Sequence, residues 1–203
     1  KNAHITLFTD EHVECDVFDQ QKKVKMGLRS KQKYFLESPY EKTIYIDSDT
    51  YINHDMNDVF EMLDKYELLC CNDYARKQVL PIPEYMRIPY AFSELNGGII
   101  CFKKCQNLSS MITLWNKYYD IYEKTVPWDQ PSFRIAVWES NINLYVLPNE
   151  YNRRSQSTKD KYVNAKKKGD PSFGKDHLKT RVYHFQGLEK MHRDEIEKQA
   201  QPL

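Results

Sequence analysis

The sequence predicts a single α/β domain with a mixed, mostly parallel central sheet flanked by helices. Three observations lead there. Short β-rich runs recur along the chain, at Ile5 to Phe8, Thr43 to Ile46, Leu68 to Cys71, Gly97 to Phe102 and Asn143 to Leu147. Segments with apolar residues at helical spacing lie between them, and that alternation belongs to helices packed on a parallel sheet. The length of 203 residues suits one domain, and a chain of this size buries about 70% of its unfolded surface without disulfides or metals to staple it.

Taken in order, Ile5 to Asp10 opens as a strand ending in a polar pair, and Val13 to Phe18 is a second strand candidate. From Lys22 to Glu37 the apolar positions Val24, Met26, Leu28, Tyr34, Phe35 and Leu36 predict a helix, which Ser38-Pro39 stops. Thr43 to Ile46 reads as a buried strand running straight into Asp47-Ser48-Asp49. Asn53 is the expected cap of the next helix, where Val59, Phe60, Leu63 and Tyr66 recur. Asp73 to Phe92, with Pro81, Pro83 and Pro89, reads as largely loop. A strand follows, entered through Gly97-Gly98. Leu108 to Tyr122 is an amphipathic helix, and Pro127-Trp128-Asp129-Gln130-Pro131 starts another, with Asp129 as N-cap and Pro131 in the first turn.

Charge narrows the function. Lys plus Arg number 30 against 29 Asp plus Glu, a balance without the basic field that nucleic acid or a membrane surface requires. Every long apolar run is broken by a charge before about 18 residues, so no transmembrane helix is expected, and no signal-peptide pattern opens the chain. The five cysteines form no CxxC pair. They read as buried free thiols of a reducing compartment, which makes the expected location cytoplasmic. Fifteen tyrosines suit stacking on sugar-like ligands and equally suit a core. Arg153 to Arg181 carries ten Lys or Arg against three Asp. It reads either as a solvated loop or as a flap that gathers phosphate or an acidic acceptor.

Two constellations carry chemistry. Asp47 and Asp49 lie at the C-terminal end of an apolar strand, where open α/β sheets bind ligands, and residues i and i+2 of a strand share a face. Two carboxylates aimed at one point repel unless a cation sits between them, and hard oxygen ligands suit Mg2+ or Mn2+. The plain alternative is an Asp that caps a turn. A phosphatase of the haloacid-dehalogenase kind also uses a strand-end DxD, but it wants Thr or Val where this chain has Tyr51. The second constellation is His184, Gly187 and Lys190: an imidazole that can ligate Mn2+, a glycine that lets backbone N–H groups reach phosphate, and a point charge. Alone, His184 reads equally as an ordinary strand histidine.

Together these segments resemble the nucleotide-sugar glycosyltransferases of the GT-A (Rossmann-like) fold, most closely the retaining, glycogenin-like family 8 type, small soluble members of which occur in large DNA viruses. The resemblance runs from Arg29 through Tyr45-Ile46-Asp47-Ser48-Asp49, Leu95-Asn96-Gly97-Gly98-Ile99 and Asp129-Gln130 to His184-x-x-Gly187-x-x-Lys190. It implies a GT-A domain over residues 1–203: a nucleotide and metal half at about 1–72, a sugar and acceptor half at about 73–150, and the basic loop and closing motif at about 151–203. It further implies transfer of a hexose from a UDP-sugar to a hydroxyl acceptor, a glycan, with retention. Asp47, Asp49 and His184 would hold Mn2+ or Mg2+ against the diphosphate, with Ser48 beside them. Gly187 and Lys190 would contact the diphosphate, and Arg29 would serve the donor. Asn96, with Gly97 and Gly98, and Asp129 would hold sugar hydroxyls, while Gln130 would face the reactive carbon. Asp129 and Gln130 are thus the catalytic candidates. For a viral enzyme the compartment would be the host cytoplasm. Tyr85, Tyr90, Phe92 and the basic stretch are candidates for the acceptor surface. The alternatives are another metal-phosphate enzyme, such as a pyrophosphorylase or phosphatase, and a non-catalytic sugar-binding module on the same fold. The family's first strand, which supplies much of the uracil pocket, would precede Ile5, so base recognition stays unassigned.

Overall fold

The computed structural model describes residues 3–25, 27, 29, 31–73, 80–154 and 180–184. The chain enters through β1 (Thr6–Thr9), paired in parallel with β2 (Gln20–Lys23). Then come β3 (Lys42–Ile46), β4 (Thr50–Ile52), α1 (Asp58–Lys65), β5 (Leu68–Asn72) and the short α2 (Pro83–Arg87). The remaining elements are β6 (Leu95–Lys103), α3 (Gln106–Tyr122), α4 (Gln130–Glu139), β7 (Leu144–Leu147), β8 (Arg153–Arg154) and β9 (Val182–His184).

The central sheet has the order β3-β6-β5-β7. β6 runs antiparallel to both β3 and β5, while β5 and β7 are parallel. Three of the four strands therefore share one direction, as a mixed, mostly parallel sheet requires, and the long β6 runs against them. Strand alternation sorts the core onto the two faces. Leu68, Cys70, Ile100 and Phe102 pack with Leu108, Met111, Trp115, Phe133 and Ala136 of α3 and α4. Leu69, Cys71, Ile99 and Cys101 face the other way, against Val59 and Leu63 of α1 and Val182 of β9. A second small sheet, β4-β9-β8, pairs Thr50 with His184 in antiparallel register. That pairing brings the end of the described chain to the end of β3.

Several local expectations give way to tertiary structure. The helix expected over Lys22 to Glu37 is absent among the described residues: Gln20–Lys23 is a strand, and Lys31–Lys33 and Phe35–Glu37 are single 3-10 turns. Arg29 sits at φ 61° in the left-handed region, incompatible with a continuous right-handed helix. Phe35 is nonetheless core, against Tyr45, Phe102 and Trp115. Val13 to Phe18 makes no strand because the Gln21 side chain takes both backbone groups of Val13, in place of a strand ladder. Asn53 caps no helix. Its backbone N–H donates to Arg181 O and its side chain to Thr180 O, tying the β4 end to β9, while the Asp55 carboxylate accepts from Asn57 N ahead of α1. The proline-rich stretch holds α2 and buries Ile82, Tyr85 and Ile88 against Tyr118, Val126 and Ile135, so part of it is core. Asp129 occupies the N-cap position of α4 but its side chain makes no cap bond. Most of the basic stretch, and Gly187 and Lys190, lie outside the described residues.

Candidate metal centre

β3 delivers Asp47 to the sheet's edge, where its N–H donates to Gly98 O at 2.9 Å. Thr50 Oγ1 then donates to Asp47 O at 2.8 Å and curls the chain back into β4. The turn leaves Asp47 and Asp49 on one side, with Ser48 exposed between them. The β4–β9 register does the rest by placing His184 opposite Thr50. Ligand atoms of Asp47, Asp49 and His184 all lie within 4.8 Å of one another, and His184 Nε2 is 3.2 Å from Asp49 Oδ1.

The glycine pair makes room for this. A Cβ on Gly98 would stand 2.2 Å from His184 Cε1, so the imidazole rests directly on the strand backbone. A Cβ on Gly97 would come within 3.1 Å of Lys31 Nζ. Burial makes Asp49 harder to ionise, but when the His184 ring is protonated its hydrogen bond and charge outweigh that and hold the carboxyl below its usual range. Burial, and then the charge of Asp47, drive the Tyr45 hydroxyl far above its usual range; it stays protonated and donates to Asp47 Oδ1.

Beside this lies a third carboxylate, Asp129, flanked by two cations. Lys31 Nζ donates to Gly97 O at 2.7 Å and stands 3.2 Å from Asp47 Oδ1 and 3.3 Å from Asp129 Oδ2. Arg29, more exposed, reaches Asp129 Oδ1 at 3.7 Å. Asp129 is buried at 2% exposure, and its carbonyl accepts from Trp115 Nε1 and Ser132 Oγ. Asn96 Nδ2 donates to Asp73 Oδ2 at 3.2 Å, and Gln130 Nε2 donates to the same oxygen.

The structure thus brings together Arg29, Asp47, Asp49, Asn96, Gly97, Gly98, Asp129 and His184, and links Gln130 to them through Asp73. Three residues of this network escaped the sequence reading. Lys31 lies two positions past Arg29, and its role depends on a backbone turn that no periodicity announces. Asp73, and Asn152, whose side-chain oxygen lies 3.0 Å from His184 Nδ1, had no motif. The signal for Asp73 was available in Asn72-Asp73, a polar pair ending an apolar strand, the same grammar as Asp47.

The donor set suits a hard divalent cation: two carboxylates and one imidazole nitrogen, spaced so that one ion at roughly 2.0–2.2 Å from each is reachable with small shifts. Without a proton or ion, a neutral imidazole lone pair facing the Asp49 carboxylate would repel it, and a cation resolves that conflict.

With its mixed sheet, reversed β6 and strand-end acidic pair, the chain has the α/β fold of the GT-A glycosyltransferases. Among solved structures it is similar to the galactosyltransferase LgtC in complex with donor and acceptor sugar analogues, with a TM-score of 0.53 at 10% identity, covering 80% of this chain and 62% of that one. An active-site mutant of LgtC gives 0.52 at 14% identity over 78% of this chain and 58% of that one. The apo form of the glycosyltransferase GlyE of Streptococcus pneumoniae gives 0.52 at 14% identity, over 88% and 41%. The chain therefore spans about six tenths of the LgtC structures' length. No protein-family model matches it, and no curated protein matches it. No helix among the described residues is long and apolar enough to cross a membrane.

Proposed function

We propose that this protein transfers a hexose from a UDP-sugar, of the UDP-glucose kind, to a hydroxyl of an acceptor glycan, with a divalent cation, Mn2+ or Mg2+, and with retention. One observation carries the reading: on this fold, Asp47, Asp49 and His184 converge at the C-terminal end of β3 although 135 positions separate Asp49 from His184. When bound, the ion supplies positive charge against the diphosphate leaving group. The remaining work falls to the chain. Lys31 and Arg29 hold the Asp129 carboxylate in place, where it accepts hydrogen bonds from donor sugar hydroxyls. Asn96 and Asp73 supply further polar edges to that subsite. Gln130, its amide anchored on Asp73, lines the face of the reactive carbon as an orienting group; a carboxamide is a poor nucleophile, which favours attack by the acceptor hydroxyl itself. Gly187 and Lys190, beyond the described residues, complete the diphosphate contacts in this reading.

Thermal shift with UDP plus Mn2+ against either alone tests the shared site, and the pair is expected to stabilise most. Release of UDP from a panel of UDP-sugars then separates an enzyme from a binding module: binding without turnover overturns the transferase reading.

A further inference from the structure

A string of buried side chains leads away from the metal centre on the inner side of His184. Its Nδ1 lies 3.0 Å from Asn152 Oδ1, and Asn152 Nδ2 donates to Asn96 Oδ1 at 2.6 Å. The same Asn96 oxygen accepts the Gly98 backbone N–H at 2.8 Å. His184 and Asn152 are each 6% exposed and Asn96 3%.

The backbone amide gives the string its polarity. A peptide N–H only donates, so the Asn96 atom facing it is the carbonyl oxygen. Asn96 then turns its amide nitrogen to Asp73 Oδ2, which as a carboxylate only accepts. Asn152 must offer its own nitrogen to Asn96 and, having one nitrogen, presents its oxygen to the imidazole. With a cation between Nε2 and Asp49 in place of a proton, the acceptor at Nδ1 keeps the ring proton there. The neutral ring's lone pair then sits on Nε2, the nitrogen 3.2 Å from Asp49. The order of donors and acceptors along the string starts from a main-chain group, the Gly98 amide, whose orientation β6 dictates.

We propose that Asn152 is the positioning residue of His184: anchored through Asn96 to the Gly98 amide, it holds the proton on Nδ1 and aims Nε2 at the cation shared with Asp47 and Asp49. This rests on the metal reading of the site. Asn152 acts through the imidazole, as outer partners of metal-bound histidines do.

The test uses the full chain. Ring-nitrogen NMR on isotopically labelled histidine, in protein saturated with diamagnetic Mg2+ at mildly alkaline pH, is expected to show His184 in the Nδ1–H form. An Nε2–H form in the wild type overturns the proposal. Titration with Mn2+ alone, read by calorimetry and by loss of the free-ion paramagnetic signal, is expected to show Asn152→Ala binding roughly 10–100-fold more weakly. Asn152→Asp, which retains an acceptor for the ring, should bind more tightly than Asn152→Ala. Equal Mn2+ affinity in wild type and Asn152→Ala overturns the Asn152 assignment alone. A wild type that binds no Mn2+ removes the metal reading and this proposal with it. If Asn152→Ala does not fold, the wild-type spectrum decides.

Discussion

Two charged clusters flank the first half of β6, one ahead of Leu95 and one around Gly98, and they are built differently. In the first, Arg134 and Glu94 are 3% and 4% exposed, with Nε 3.5 Å from Glu94 Oε1. The guanidinium also donates to Phe92 O at 2.6 Å, Ser93 O at 3.3 Å and Pro89 O at 3.4 Å, and lies over the Tyr85 ring. Tyr85 donates its hydroxyl to Glu94. Anion and cation both belong to the chain, and the cluster ties the loop before β6 to α4. At the second cluster Asp49 faces an imidazole where Glu94 faces a guanidinium. Its acceptors outnumber its donors, and Lys31 is shared between Asp47 and Asp129. A charge cluster closed within the chain acts as structure, whereas one with surplus acceptors waits for a ligand.

Breaking the closed cluster should cost most. Arg134→Met strands a buried carboxylate, and a loss of about 3–5 kcal/mol is expected in chemical denaturation, with or without Mn2+. An effect below about 1 kcal/mol would show that water or another donor answers Glu94 and would erase the contrast. Next comes Gly98→Ala. Its methyl group collides with the buried His184 ring, so a stability loss of about 1–3 kcal/mol should accompany loss of Mn2+ binding. Gly97→Ala meets only the flexible end of Lys31 and should be the milder of the two.

Asp49→Ala sharpens the comparison from the other side. It should leave ligand-free stability within about 1 kcal/mol yet abolish the stabilisation by UDP plus Mn2+, which reaches about 2.7 kcal/mol at ligand a hundredfold above Kd. Unchanged metal-dependent stabilisation would overturn the site. The smallest effect is in pH. Because the folded Asp49 carboxyl is held below its ordinary value, its contribution to stability is present above that value and fades as pH falls through the folded one. Asp49→Asn should therefore flatten the acid limb of ligand-free stability. Bound Mn2+ should be lost over the same acidic range as protons compete for the carboxylates.

Much of this was legible in the chain. The strand-end acidic pair, the Asn96-Gly97-Gly98 segment and the helix opening at Asp129 announce themselves because each is a local pattern: an apolar run, a polar stop, glycines where backbone must approach something. β5, α3 and β7 fell within a residue or two of their expected bounds, and α4 starts where expected, for the same reason, since hydrophobic period is a local property. The region from Val13 to Glu37 was misread because its short-range spacing competes with long-range demands. Gln21 satisfies Val13, β2 pairs with β1, and Phe35 is drawn into an aromatic core with Trp115, 80 positions away.

Residue types and their order along the chain determined which groups are available: two carboxylates at a strand end, a histidine far downstream, cations near Arg29. Which of them meet was decided by the β4–β9 pairing and the reversal of β6, since a one-residue slip in that register would turn His184 to the opposite face. Proton placement on that ring is further still from the sequence. It depends on Asn152, Asn96 and a single main-chain amide lying at hydrogen-bonding distance in a buried space, a condition set by packing.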